Sequence, residues 1–261
     1  MSTQAAVMTP YATLRAYVAL TKPRIIELLL VTTIPAMVLA ERGLPSIWLM
    51  IVTVVGGTLA SGGANAINCF VDRDIDAVMQ RTQKRPLVQH QITPARALAF
   101  AIALEVAGFL LLAVFANLLA AVLALSATLF YVFVYTLWLK RTSTQNIVIG
   151  GAAGAVPPLV GWAAVTGSLA WPAVVMFAIV FFWTPAHFWA LALKYRDDYA
   201  RAGVPMGPVV WGPERTHRGI LVYTLITVVV ALLLVPAGAA GAIYAVAAVV
   251  LGVVFLAYAF R

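Results

Sequence analysis

The chain has 261 residues, of which 63% are apolar and only 10% charged, with a net charge of +8. That composition excludes an ordinary soluble domain and marks an all-α, polytopic integral membrane protein. The positive balance reports loop topology and anionic membrane lipid headgroups, with no nucleic acid partner, and the single cysteine, Cys69, excludes an internal disulfide.

The first twenty-odd residues hold no apolar run with a small-residue cleavage site, so no signal peptide is expected. Eight apolar stretches follow, at roughly 25–40, 46–71, 97–116, 118–138, 147–166, 171–193, 219–236 and 239–260, each read as a transmembrane helix. Of the seventeen Lys and Arg residues, all but Arg42 fall on one side of this pattern. The positive-inside rule makes that side cytoplasmic, with the N-terminus inside. Spans two and six each run into a long charged connection, about 71–96 and 194–218, which suggests two four-helix halves with a site between two polar caps.

In chain order, Lys22-Pro23-Arg24 stands at the entrance of the first span. Either cation could reach a phosphate or simply snorkel to anchor a helix end. Span two ends in Asn68-x-x-x-Asp72-x-x-x-Asp76. A spacing of four turns successive residues about 40° on an α-helix, so the three share one face. Carboxylates at i,i+4 repel unless a cation lies between them, and Mg²⁺ bridged to a phosphate is a hard oxygen-ligand solution. Asp74 lies on another side of the helix and is expected to pair with a loop arginine. Ala60 and Ala64, in register with the acidic face, either let helices approach closely or leave a slot for a long apolar ligand. Beyond Asp76 come Arg81, Lys84 and Arg85, placed to clasp a diphosphate, arginine by its planar fork.

Lys140-Arg141 precedes span five as Lys22 and Arg24 precede span one, with the same two readings. Span five opens with small residues from Gly150 to Ala155, then Pro157-Pro158. Span six is aromatic and carries His187, a functional candidate by its depth or else a packed, hydrogen-bonded side chain. Pro185 in the same span should free a backbone carbonyl. The span ends in Lys194-Tyr195-Arg196-Asp197-Asp198-Tyr199, a second acidic cap that could hold another Mg²⁺ or position the first.

These residues resemble a known family. The Asn68, Asp72, Asp76 run is similar to the signature of the UbiA superfamily of intramembrane prenyltransferases. Its heme-directed branch is matched by Leu20-Thr-Lys-Pro-Arg24, Arg81-Thr-x-x-Arg-Pro-Leu87, Tyr135-Thr-x-x-Leu-Lys-Arg141, the run from Gln145 to Gly154, Pro157-Pro-Leu-Val-Gly-Trp162, Thr184-Pro-x-His-Phe-Trp-Ala-Leu191 and Arg196-Asp-Asp-Tyr-x-x-Ala-Gly-x-Pro-Met206. The resemblance implies a nine-span bundle around a cavity open to the cytoplasmic side of a bacterial inner membrane. It implies Mg²⁺-dependent transfer of farnesyl from farnesyl diphosphate to a vinyl group of heme B, with water added, giving heme O for a heme A synthase to take up. Candidate catalytic residues are then Asn68, Asp72, Asp76, Asp197 and Asp198, with Asn68, Asp72, Asp76 and Asp198 as metal ligands. Candidate substrate contacts are Lys22, Arg24, Arg81, Lys84, Arg85, Lys140, Arg141, His187, Lys194, Tyr195, Arg196 and Tyr199.

Departures from the pattern are visible. Tyr195 and Tyr199 occupy the positions of the wider superfamily's second D-x-x-x-D, while Ala186 and Gly207 replace a usual proline and leucine. The chain reads as one domain, 1–261, lacking an expected ninth helix. A quinone or chlorophyll precursor as acceptor, or a transporter, are the rival readings. The first would be favoured by a true second D-x-x-x-D, the second by acids near the bilayer midplane.

Overall fold

A computed structural model describes residues 9–260 and contains helices and no strands among them. Arg261 lies outside the described residues. In chain order the helices are α1 (Pro10–Thr21), α2 (Pro23–Glu41), α3 (Ile47–Val71), α4 (Arg73–Val78), α5 (Pro94–Phe115) and α6 (Leu118–Leu129). A π-helical segment, Phe130–Leu139, runs on from α6 into the single turn α7 (Lys140–Thr142). Then follow α8 (Asn146–Ala155), α9 (Pro157–Thr166), α10 (Trp171–Lys194), α11 (Arg196–Arg201), α12 (Gly207–Val210), α13 (Pro213–Leu232) and α14 (Ala242–Ala259).

Seven of these helical runs are long and apolar enough to cross a membrane, namely α3, α5, Leu118–Thr142, Asn146–Thr166, α10, α13 and α14. The remaining stretch read from sequence, 25–40, falls on α2, a 19-residue helix with Arg24 and Glu27 in its first turns. Proline sets several starts: Pro10, Pro23, Pro94, Pro157 and Pro213 sit in first turns, where a missing N–H costs nothing. Pro157-Pro158 also divides the fifth expected span into α8 and α9, with Val156 between them. By contrast α10 continues through Pro185.

Small residues let the backbones of α3 and α5 touch. A Cβ on Gly108 would lie 2.9 Å from the Gly56 carbonyl oxygen, and one on Gly63 would lie 2.8 Å from that of Ala101. Ala60 packs into the same seam, so close helix approach is the role this stripe takes. Glu105 of α5 is buried there and accepts from Thr128 Oγ1 at 2.9 Å, which ties α5 to α6. Around α3 the bundle closes through α2 on α9 and α6 on α9, while α10 packs on α8 and α13. The charged connections after α3 and α10 come together at one end, where α4, α11 and α12 form a polar cap over an apolar cluster of Ile75, Met79, Ile147, Trp189 and Tyr199.

Candidate functional site

The long helix α3 ends at Val71, and Asp72 bends the backbone (φ −85°, ψ 9°) into α4. The i→i−4 bonds persist across the bend: Asp72 N–H donates to the Asn68 carbonyl at 2.9 Å, and Asp76 N–H to that of Asp72 at 2.8 Å. Asn68, Asp72 and Asp76 therefore stay on one face, and all three are buried. Two carboxylates this close and this dry demand cations.

Four cations arrive from three other segments. Lys140 Nζ contacts Asp72 Oδ2, and Arg141 lies 3.5 Å from Asp72 Oδ1. Arg85 NH1 pairs with Asp76 Oδ2. Lys22, whose left-handed backbone joins α1 to α2, donates from Nζ to Asn68 Oδ1 at 2.7 Å. Loss of water around that ammonium, with the Arg85 and Lys140 charges beside it, pulls Lys22 down to about 8. Lys22 and Lys140 are thus turned inward, and the snorkelling alternative does not describe them. Arg141 also grips the exposed Asp74 through two bonds of 2.7 and 2.8 Å, which hold that carboxyl at about 2.

Whether this face suits a divalent ion can be judged from its own atoms. Asp72 Oδ1 is buried and accepts no hydrogen bond, with the Arg141 guanidinium near it only at 3.5 Å, so it has a lone pair to offer a closer cation. No group of three His, Cys, Asp or Glu side chains clusters among the described residues. Two carboxylates and one amide oxygen match Mg²⁺, which takes few protein ligands and completes its shell with water and substrate phosphate. The donor set fits.

Asp198, expected as a metal ligand, has main-chain partners as well as a cation. Its Oδ1 and Oδ2 accept the backbone N–H groups of Gln80 and Arg81, each at 3.2 Å, and Arg201 contacts Oδ1. Burial alone would raise this carboxyl, but those two N–H groups and the guanidinium outweigh it and hold it below its usual value. Both oxygens are committed, so Asp198 clamps the loop after α4 onto α11. The clamp sends the Arg81 guanidinium toward Tyr199, 3.5 Å from its hydroxyl, and over the Tyr195 ring at 5.3 Å. Lys194 also lies over that ring.

Arg24, Lys84, Arg196 and Asp197 are exposed and have no ion pair among the described residues. His187 is exposed on α10 and stacks on Trp183, with ring centres 4.4 Å apart. It is not among the groups that meet the carboxylates. Residue-type reasoning overlooked Thr136, fully buried and accepting from Asn68 Nδ2 at 3.1 Å, and the stacked pair Tyr131 and Tyr135. Their one signal was the Tyr135-Thr136 pair inside a motif read only for its Lys and Arg.

A family model described as the UbiA prenyltransferase family matches residues 29–261. The chain belongs to the UbiA prenyltransferase family. Among similar proteins, one named protoheme IX farnesyltransferase 1 from Saccharopolyspora erythraea is 62% identical over 95% of this chain and 79% of its own length. A protoheme IX farnesyltransferase from Gloeobacter violaceus is 58% identical over 96% and 82%. The fold is similar to that of a UbiA homolog from Archaeoglobus fulgidus bound to DMAPP and Mg²⁺. That match has a TM-score of 0.76 and 20% identity, covering 94% of this chain and 85% of that one. A UbiA homolog from Aeropyrum pernix K1 matches with a TM-score of 0.74 and 22% identity, covering 90% and 88%. This UbiA family member is therefore a multi-pass membrane prenyltransferase by fold and kinship.

Proposed function

We propose that this chain transfers the farnesyl group of farnesyl diphosphate to a vinyl group of heme B, with addition of water, giving heme O and diphosphate. The observation that carries the reading is the buried Asn68, Asp72, Asp76 face with Lys22, Arg85, Lys140 and Arg141 converging on it. Relatives named protoheme IX farnesyltransferase supply the acceptor.

Asn68, Asp72 and Asp76 would hold Mg²⁺, which when bound neutralises charge gathering on the departing diphosphate. Arg85 and Lys140 exchange their carboxylate partners for phosphate oxygens, and Arg81 closes from the Tyr195 and Tyr199 side. These preplaced cations stabilise the leaving group as the allylic C–O bond breaks. No side chain acts as nucleophile. The electron-rich vinyl carbon attacks the allylic carbon, and water then adds to the carbon beside the porphyrin ring and releases a proton. Burial of the site keeps bulk water from the allylic cation that forms as the C–O bond breaks. The Tyr131 and Tyr135 rings, within electrostatic range of Asp72, offer π faces to it.

The polar cap faces the cytoplasm in this reading, since all but one of the basic residues lie on its side. Heme O would then pass to a heme A synthase. Membranes holding the protein, given heme B, farnesyl diphosphate and Mg²⁺, should form a product with the mass of heme O. Absence of that product, with prenylation of a quinone precursor instead, would replace the acceptor. Undiminished turnover in EDTA would remove the metal.

A further inference from the structure

Leu118–Thr142 is one helical run, but ten residues toward its C-terminal end, Phe130–Leu139, are π-wound. Such winding joins residue i to i+5, is rare, and concentrates at functional sites. Side chains register the change. The hydroxyls of Thr53, Ser126, Thr184 and Thr227 in other helical turns each donate to a carbonyl four residues back. Thr136 instead donates to the carbonyl of Tyr131, five residues back, at 2.8 Å.

A hydroxyl has one proton to give. With that proton committed to Tyr131, Thr136 Oγ1 offers Asn68 only lone pairs, so the amide nitrogen of Asn68 must be the atom facing it, as it is at 3.1 Å. Asn68 Nδ2 also donates to Asp72 Oδ2 at 2.7 Å, and Oδ1 is left to accept from Lys22. A flipped amide would set Oδ1 against two acceptors at a buried position, since Asn68 is 3% exposed and Thr136 0%. Asp72 cannot hold the amide alone once its carboxylate turns to another cation. Thr136 can, because its proton is tied to the backbone of its own helix.

We propose that Thr136, held by the π turn, is the positioning residue that fixes the orientation of the Asn68 amide, so that Oδ1 is the atom shown to a cation on the acidic face. Under the proposed function, on which this inference rests, that cation is Mg²⁺. The winding has a second effect in the same direction. A spacing of five stacks Lys140 over Tyr135 as it stacks Thr136 over Tyr131, and Lys140 reaches Asp72.

The test uses purified full-length protein and farnesyl thiolodiphosphate, an analogue that ionises too slowly to turn over. The reading is the Mg²⁺ concentration giving half-maximal analogue binding. Thr136→Val and Thr136→Ala should raise it tenfold or more, the usual consequence of losing a partner that orients a metal ligand. Thr136→Ser, which keeps donor and acceptor, should leave it at the wild-type value. If Thr136→Val does not fold, the Ala and Ser variants decide. An unchanged Mg²⁺ requirement in the Ala or Val variant overturns the inference even if its melting temperature falls, because that is the mark of a packing role. A Ser variant as impaired as Ala also overturns it. Wild-type binding that needs no Mg²⁺ is a separate result, which removes the metal reading and this inference with it.

Discussion

Replacing Lys140 by Met should move two affinities in opposite directions. Lys140 Nζ sits on Asp72 Oδ2, with its side chain 13% exposed and that of Asp72 0%. For Mg²⁺ to bind alone, the carboxylate must first give up that ammonium. Close, poorly solvated charge pairs couple by about 1.5–3 kcal/mol at the low end of measured cases. At 1.4 kcal/mol per decade, Lys140→Met should therefore bind Mg²⁺ about 10- to 100-fold more tightly in the absence of diphosphate. The same variant loses a charge-assisted bond to the substrate, also about 1.5–3 kcal/mol, and should bind the farnesyl thiolodiphosphate–Mg²⁺ pair about 10- to 100-fold more weakly. Titration calorimetry in detergent, with Mg²⁺ alone and then with both ligands, separates the two effects. Weaker Mg²⁺ binding in Lys140→Met, or unchanged analogue binding, would refute the view that this lysine is exchanged between carboxylate and phosphate.

The neighbouring groups give further tests. Arg85→Lys keeps the charge but not the fork, and should weaken analogue binding about tenfold while heme affinity, read from the Soret band, stays put. Asp198→Asn lowers the acceptor strength at two backbone N–H groups, so amide exchange should quicken over residues 79–87 and KM for farnesyl diphosphate should rise several-fold, with kcat less affected. Asp74 is held at about 2 by Arg141 against about 3.9 in an unfolded chain, so its contribution is full above pH 4 and is lost as pH falls toward 2. Because its side chain is 61% exposed, that contribution stays below about 1 kcal/mol, and Asp74→Asn should lower the melting temperature slightly at neutral pH, leave it unchanged near pH 2, and so flatten the acid limb.

What could be read from sequence, and what could not, divides along the reach of each interaction. The Asn68, Asp72, Asp76 face was legible because i,i+4 spacing is local geometry that survives even the bend at Asp72. The apolar runs were legible because bilayer thickness sets a length that composition reveals. Lys22 and Lys140 stayed ambiguous, since a lysine at a helix entrance looks the same whether it snorkels outward or turns toward an amide oxygen 46 residues away or a carboxylate 68 away. The clamp made by Asp198 is invisible in the sequence for the same reason. Its partners are main-chain N–H groups 118 and 117 positions earlier, and a backbone amide leaves no trace in side-chain pattern.

The π segment lies beyond both kinds of signal. Phe130–Leu139 is as apolar as an α-helical span, and the extra residue per turn shows only in which carbonyl a threonine hydroxyl can reach. One consequence concerns the acidic pair itself. Considered on their own turn of chain, Asp72 and Asp76 repel, and removing either carboxylate should relieve it. In the folded bundle each is paired with its own part-buried cation, so Asp72→Ala would strand Lys140 and Asp76→Ala would strand Arg85, at a cost bounded by that of breaking a fully buried pair, about 3–5 kcal/mol. An inactive alanine variant is therefore weak evidence for metal binding unless its fold is measured too. The isosteric Asn variants, or the paired Asp72→Asn with Lys140→Met, separate chemistry from collapse.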